Sequence, residues 1–397
     1  MKNRLLALAL VGAMALSMVA CGSKEDDSDK TSDQAKADLL AQTTPIEYDV
    51  DEYVTLGQYK DLEVTLDGTY EYTEEGFKEY IQKNLENAAI YVEDNSQKEV
   101  KEDSIVNVDY VGSRDGVAFD GGSAEDQMID VAGNCAAGGS GGYIEGFTAG
   151  LAGHSVGEEV AYEVTFPKEY GNADLAGQTV TFTFQINYIA KALSSKSELT
   201  DDIVKEKLGY DTVDDYVSAM KTQFEASLQS NLESDTQTAI LNAVLNNSKV
   251  SKVPEKLLQA RVDMYLQVYD KQYESYGTTA KEYLEAMGQD YDEYVKNLKK
   301  SISESTETEL ILEAIAKKEG LEIDEDGYKA FIGNVMSSSG ATDENTFYQV
   351  YTVAGYTGER YFKQAYLTQK ALDLCKESAK VNGAPATTEN DEKTDAE

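Results

Sequence analysis

The sequence predicts an α+β chain in which a strand-rich block precedes a long helical block. Between residues 99 and 191 apolar residues alternate strictly, as in Val160, Tyr162, Val164 and Phe166, and again in Val180, Phe182, Phe184 and Ile186. That is the period of strands with one buried face. From about Thr200 the apolar spacing changes to three and four residues, the helical period. Glycine-rich connectors at 112–122 and 133–142 punctuate the first block.

The elements follow in order. Lys2 and Arg4 precede an apolar run from Leu5 to Val19, too short for a comfortable membrane span, and Ala20-Cys21-Gly22 comes next. This arrangement resembles a bacterial lipoprotein signal, with Met18 where that pattern usually has Leu. It implies a leader over 1–20, lipidation at Cys21 and a flexible Ser/Asp/Lys-rich tether over 21–44. The alternative is an ordinary cleaved leader with a chance cysteine. Residues 45–98 contain a strand-like run, Leu62–Leu66, and then a helix from about Thr73. That helix carries Phe77, Tyr80, Ile81, Leu85 and Ala88 on one face.

The helical block covers 192–380. Thr212 with Asp215 reads as a cap before a stripe of Val213, Val217, Met220, Phe224 and Leu228. Pro254 opens a helix whose face carries Leu258, Val262, Tyr265, Tyr269, Tyr273 and Tyr276. Thr279 with Glu282 forms a capping box. A long helix bearing Tyr294, Leu298, Ile302, Leu310, Leu312 and Ile315 ends near Gly320, with shorter helices at 324–337, 343–354 and 358–380. Residues 381–397 have the composition of a disordered tail.

Composition narrows the function. With 397 residues and 41% hydrophobic content the chain can bury a real core, and its net charge of −38 makes nucleic acid and anionic headgroups poor partners. His154 is the one histidine, so a His-dependent nucleophile triad and a His-based zinc site are excluded, and its Gly-flanked setting reads as a surface turn. No acidic run has the spacing of a calcium loop. No metal and no cofactor is expected. Cys135 and Cys375 are expected as free thiols, although two cysteines outside the cytoplasm could also pair.

The strand-rich block carries a series of motifs in fixed order. They are Val108-Asp109-Tyr110-Val111-Gly112, Val117-Ala118-Phe119-Asp120-Gly121-Gly122, Tyr143-Ile144-Glu145-Gly146-Phe147, Thr165-Phe166-Pro167-Lys168-Glu169-Tyr170-Gly171 and the strand ending in Phe182-Thr183-Phe184. Their order resembles the FKBP-type peptidyl-prolyl isomerase domain in the version carried by trigger factors. The resemblance implies an antiparallel half-barrel around one short helix, at 99–191, inserted before an all-helical chaperone domain. It implies pocket positions at Tyr110, Phe119, Asp120, Phe147, Tyr170 and Phe182, with Ile144 supplying a backbone N–H for a substrate carbonyl. Tyr143 adds to the wall. The stretch from Ala132 to Gly142 is longer than the family's turn, so the motifs do not fix the aromatic wall just before it, and Met128 or Ile129 is the expected position.

The resemblance continues through Tyr59-Lys60-Asp61-Leu62-Glu63-Val64, Leu199-Thr200-Asp201-Asp202-Ile203-Val204 and Val253-Pro254-Glu255-Lys256-Leu257-Leu258, and covers about 48–375. It leaves out the Gly-Phe-Arg-x-Gly-Lys signature of ribosome binding, so no ribosome partner is expected. The expected protein is an extracytoplasmic foldase, anchored to the outer face of a bacterial membrane, that isomerises and holds unfolded, proline-containing secreted polypeptides. The rival is a non-catalytic holdase or binding lipoprotein that keeps the fold without turnover.

Overall fold

The structure is a computed structural model that describes residues 44–274 and 276–383. The expected leader, Cys21 with the tether to residue 43, and residues 384–397 lie outside the described residues. In chain order the strands are β1 (Val54–Thr55), β2 (Glu63–Thr65), β3 (Tyr91–Glu93), β4 (Ile105–Arg114), β5 (Val117–Asp130), β6 (Cys135–Ala136), β7 (Glu159–Thr165), β8 (Thr179–Ala192), β9 (Lys249–Val250) and β10 (Lys380–Asn382). The principal helices are α1 (Glu74–Ala88), α2 (Val213–Asn247), α3 (Glu255–Glu274), α4 (Ala280–Ala286), α5 (Tyr291–Glu319), α6 (Glu325–Ser339), α7 (Glu344–Val350) and α8 (Gly358–Ser378). The chain divides into two compact units, one spanning Glu71–Gln229 and one joining the residues up to Tyr70 with those from Ser230 on.

In the Glu71–Gln229 unit an antiparallel sheet runs in the order β3-β8-β4-β5-β6, with β7 also on β8. The alternation in the sequence is what builds it. Val160, Val164, Val180, Phe182, Phe184 and Ile186 all turn to one core with Val106, Val108 and Leu151. Where a regular short helix was expected, residues 144–154 form consecutive tight turns, with Phe147 N–H on Ile144 O, Leu151 N–H on Thr148 O and His154 N–H on Leu151 O. His154 sits in that turn region with Nδ1 2.9 Å from Glu158 Oε1.

A second core in this unit belongs to α1. Thr73 caps it by accepting from Gly76 N–H at 3.0 Å, which satisfies one of the orphan donors of a first turn. Phe77, Ile81 and Leu85 then point to the same side as Leu193, Leu199, Val204, Tyr216, Met220, Phe224 and Leu228. Phe224 lies under the rings of Tyr72, Phe77 and Tyr80 at 5.2–5.9 Å. Ala88 falls in the last turn and is exposed.

The other unit is helical, with two short strand pairs. β2 pairs in parallel with β10, so Val381 and Asn382, read from composition as the start of the tail, are strand residues held by Leu66 N–H on Asn382 O. α5 is buried on two sides: Leu310 and Ala314 enter the core with Leu257, Phe347 and Phe362, while Ile311, Leu312 and Ile315 enter one with Ile240, Val244 and Leu372. Gly320 ends it in the left-handed conformation at φ 65°, as a C-terminal glycine does. The capping box at Thr279 and Glu282 is formed, and Asp215 N–H donates to Thr212. Cys135 and Cys375 are free thiols.

A polar network crosses the helical core. Glu313 accepts from the Tyr48 hydroxyl at 2.7 Å and from the Gln364 amide. Burial raises its pKa above the ordinary glutamate value, outweighing those two bonds and the attraction of Arg261. A carboxyl whose folded pKa is raised contributes stability at low pH and loses it as pH rises through that pKa. Glu313→Gln keeps an acceptor without the charge. We expect its thermal stability relative to the parent protein to be more favourable at pH 8 than at pH 4. Equal differences at both pH values would show that Glu313 does not titrate with folding.

Candidate functional site

The strand-rich unit holds a cavity of about 320 Å³ walled by Tyr110, Phe119, Phe147, Phe166, Tyr170 and Phe182, with Tyr143, Ile144 and Asp120 on its lining. The sheet registers explain how these side chains meet. Tyr110 lies opposite Phe184 on β8, and Phe182 lies opposite Gly112 on one edge and Tyr162 on the other. Between the pairs Val111–Ser123 and Ser113–Ala118, residues Phe119, Asp120, Gly121 and Gly122 face the single residue Gly112. This wide bulge swings Phe119 over the strand and places Asp120 beside the opening. Bulges re-aim side chains in this way.

Glycines make room for the rings. A Cβ on Gly112 would lie 2.5 Å from Phe119 Cζ and 2.7 Å from Phe182 Cε1, and one on Gly122 would lie 2.3 Å from Phe119 Cε2. Only a residue without a side chain fits there. The rings then pack edge to face. Phe147 is 4.9 Å from Phe182 at 81° and 5.1 Å from Tyr110 at 84°, and Phe119 is 6.0 Å from Phe182 at 83°. These are favoured aromatic geometries. Phe147 forms the floor, 3% exposed, and the Tyr162 hydroxyl donates to its carbonyl at 2.5 Å.

The walls are apolar, and the polar groups lie at defined points. Tyr110 and Tyr143 have pKa values raised chiefly by burial, so both hydroxyls stay protonated donors. Tyr170 is 39% exposed, and its ring is tilted at 56° to that of Phe166 with centroids 4.6 Å apart. The Ile144 N–H donates to no backbone acceptor among the described residues, whereas its carbonyl accepts from Phe147 N–H. An amide donor left open on the lining of a cavity is a natural place for a ligand carbonyl.

All seven positions that the motifs assign, and Tyr143, come together here. Met128 and Ile129 do not. They pair with Asn107 and Val106, at the end of β4 away from Tyr110, and Ile129 is wholly buried in the sheet core. Phe166, Leu175, Asn172, Gly121, Gly122 and Gly142 line the cavity without having been assigned to it. The signal for Phe166 was present, since it continues the alternation of β7 one residue past the strand's end, but alternation alone cannot tell a core ring from a wall ring. Among the described residues no group of three or more His, Cys, Asp and Glu side chains is placed to hold a metal ion.

Residues 96–189 match the FKBP-type peptidyl-prolyl cis-trans isomerase family, and residues 212–377 match the bacterial trigger factor protein C-terminus. The trigger factor of Halothermothrix orenii is 33% identical over 270 residues, which is 68% of this chain and 60% of that protein. The trigger factor of Lactobacillus delbrueckii subsp. bulgaricus is 28% identical over 333 residues, 83% of this chain and 71% of that protein. That of Clostridioides difficile is 29% identical over 286 residues, 71% of this chain and 63% of that protein. The chain thus spans about three fifths to seven tenths of the curated relatives it matches. A solved chain described under "Promiscuous Substrate Recognition in Folding and Assembly Activities of the Trigger Factor Chaperone" aligns over 94% of each chain at 13% identity and a TM-score of 0.37. With an FKBP-type domain followed by a trigger factor C-terminal domain, this chain belongs to the trigger factor family.

Proposed function

We propose that the protein is a foldase that rotates X–Pro peptide bonds in its aromatic cavity and holds unfolded polypeptide on its helical unit. The observation that carries the isomerase reading is the aromatic cavity with the open Ile144 N–H on its lining. Rotation must break amide resonance, a barrier of about 18–20 kcal/mol, and needs no covalent step. A catalyst need only bind the twisted amide better than the planar one. An apolar cavity does so by withdrawing the water that favours the polar planar form. Ile144 N–H then holds a substrate carbonyl, Tyr170 offers a hydroxyl to the ligand, and Phe147 and Phe182 pack the proline ring. Asp120 orients donors and polarises the twisted amide without acting as a base.

The holding reading is supported by the aromatic surface around α4 and the turn that leads into it from α3. Tyr276, Tyr283 and Met287 are exposed at 78%, 41% and 65%, and the rings of Tyr276 and Tyr283 both lie against Tyr273, which packs on Tyr269. Exposed apolar clusters of this kind mark binding surfaces. The test is the refolding of a protein limited by a non-native prolyl bond. Full-length chain at substoichiometric amounts accelerates the slow phase if the reading is right; an unchanged slow phase with reduced aggregation would instead support the holdase rival.

The anchor is part of the same proposal. The basic and apolar leader before Cys21 supports lipidation and an extracytoplasmic site of action on secreted clients, with no role at the ribosome. Among the described residues no helix is long and apolar enough to cross a membrane. Cys21→Ser is expected to release the protein from the membrane fraction or leave it unprocessed. Correctly cleaved mutant protein that still needs detergent for release would contradict the anchor.

A further inference from the structure

The long loop after β5 is tied to the turn that carries the pocket floor. Its Asn134 side chain bonds to three residues of that turn. Asn134 Nδ2 donates to Tyr143 O and to Ile144 O, both at 3.1 Å. Its Oδ1 accepts from Thr148 N–H at 3.2 Å. Thr148 Oγ1 lies 3.1 Å from the same Oδ1 and 2.9 Å from Val131 O; with one hydrogen it serves one of them at a time, and the shorter contact is to Val131. The Asn134 backbone joins in, since its carbonyl accepts from Tyr143 N–H at 2.7 Å.

The Tyr143–Ile144 peptide carries an N–H without a protein acceptor among the described residues, and both of its residues line the cavity. A peptide is planar and trans, so its C=O and N–H point in opposite directions. Anchoring Tyr143 O on Asn134 therefore fixes where the Ile144 N–H points. Asparagine suits the position on a second ground: its φ is +47°, a region that most L-residues avoid and Asn tolerates. The loop is itself held, through β6 on β5 and Ala137 N–H on Met128 O at 2.8 Å.

We propose that Asn134 is a positioning residue for X–Pro isomerisation, setting the direction of the Ile144 N–H through its bond to the Tyr143 carbonyl. This rests on the isomerase reading above. The inserted loop is then a brace for the carbonyl-binding donor.

The test uses Asn134→Asp in the full-length chain. Asp keeps the acceptor for Thr148 and tolerates positive φ, but cannot donate to the two carbonyls. Two peptides are compared, a Phe-Pro peptide and its isostere with a fluoroalkene in place of the carbonyl after proline. In the parent protein loss of that carbonyl should lower kcat/KM about tenfold, the effect of one modest hydrogen bond. In Asn134→Asp the two peptides should be turned over within about twofold of each other, because the donor is no longer aimed. A variant that slows both peptides equally and keeps the tenfold ratio would overturn the proposal.

A crystal structure of the variant, or of Asn134→Gly if Asp does not fold, gives the second readout. The Tyr143–Ile144 peptide should be rotated; an unrotated peptide overturns the proposal. If the parent protein turns over neither peptide, the isomerase reading fails, and the orientation of that peptide in the variant alone decides the role of Asn134.

Discussion

Phe182→Ala is expected to abolish isomerisation and to destabilise the strand-rich unit by about 3–5 kcal/mol, the usual loss for a buried Phe. Phe182 is 4% exposed and touches the rings of Tyr110, Phe119, Phe147 and Phe184. Its loss leaves a void next to Gly112, which has no side chain of its own to fill it. A unit of this size has a total stability of about 5–15 kcal/mol, so the variant should melt well below the parent protein. Tyr170→Phe separates catalysis from packing. Only a hydroxyl at the cavity mouth is lost, so stability should hold while kcat/KM falls about tenfold. Denaturant unfolding and a prolyl-peptide assay check both variants. If Tyr170→Phe melted the unit and kept full turnover, the tyrosine would be a packing residue.

The largest effect in the helical unit is expected from Arg261→Met. Arg261 is 6% exposed, bonds Glu309 at 2.7 Å, and lies between the rings of Tyr361 and Tyr356 at 4.2 and 4.9 Å. Its Nε and Nη1 have no protein partner, so the pair does not fully repay the desolvation of the charge. Removing the cation alone leaves Glu309 facing Glu313 across the core without compensation. Breaking such a pair costs about 3–5 kcal/mol, and the partial exposure of Glu309 places the result toward the lower end. Adding Glu309→Gln should restore part of the loss, since the uncompensated charge is then gone. If the double variant were no more stable than Arg261→Met, packing of the guanidinium on the two tyrosines would be the larger contribution.

How much of this was legible in the sequence depended on whether the signal was local. Alternation placed β7 and β8, and caps at Thr73, Thr212, Thr279 and Gly320 placed helix ends. Motif order carried Tyr110, Phe119, Phe147, Tyr170 and Phe182 to one cavity. What failed was non-local. Met128 and Ile129 were assigned by distance along the chain, whereas the bulge opposite Gly112 moves the cavity end of β5 to Phe119–Gly122. The wall role of Phe166 needed the ring of Tyr170 beside it. Nothing in the spacing of Ala132 to Gly142 shows that Asn134 reaches across to residues 143–148. Val381 looked like tail because its partner, Val64, is remote in the sequence.

The most direct test of the isomerase site is a protease-free assay of cis–trans exchange in a Phe-Pro peptide, run with the full-length chain beside its Phe182→Ala variant. Uncatalysed exchange takes about 10–100 s at 25 °C. The parent protein should shorten that time in proportion to its concentration, without metal or cofactor, and Phe182→Ala should leave it at the uncatalysed value. Exchange that stays uncatalysed with folded parent protein, or acceleration that survives in Phe182→Ala, would contradict an aromatic cavity that rotates prolyl bonds.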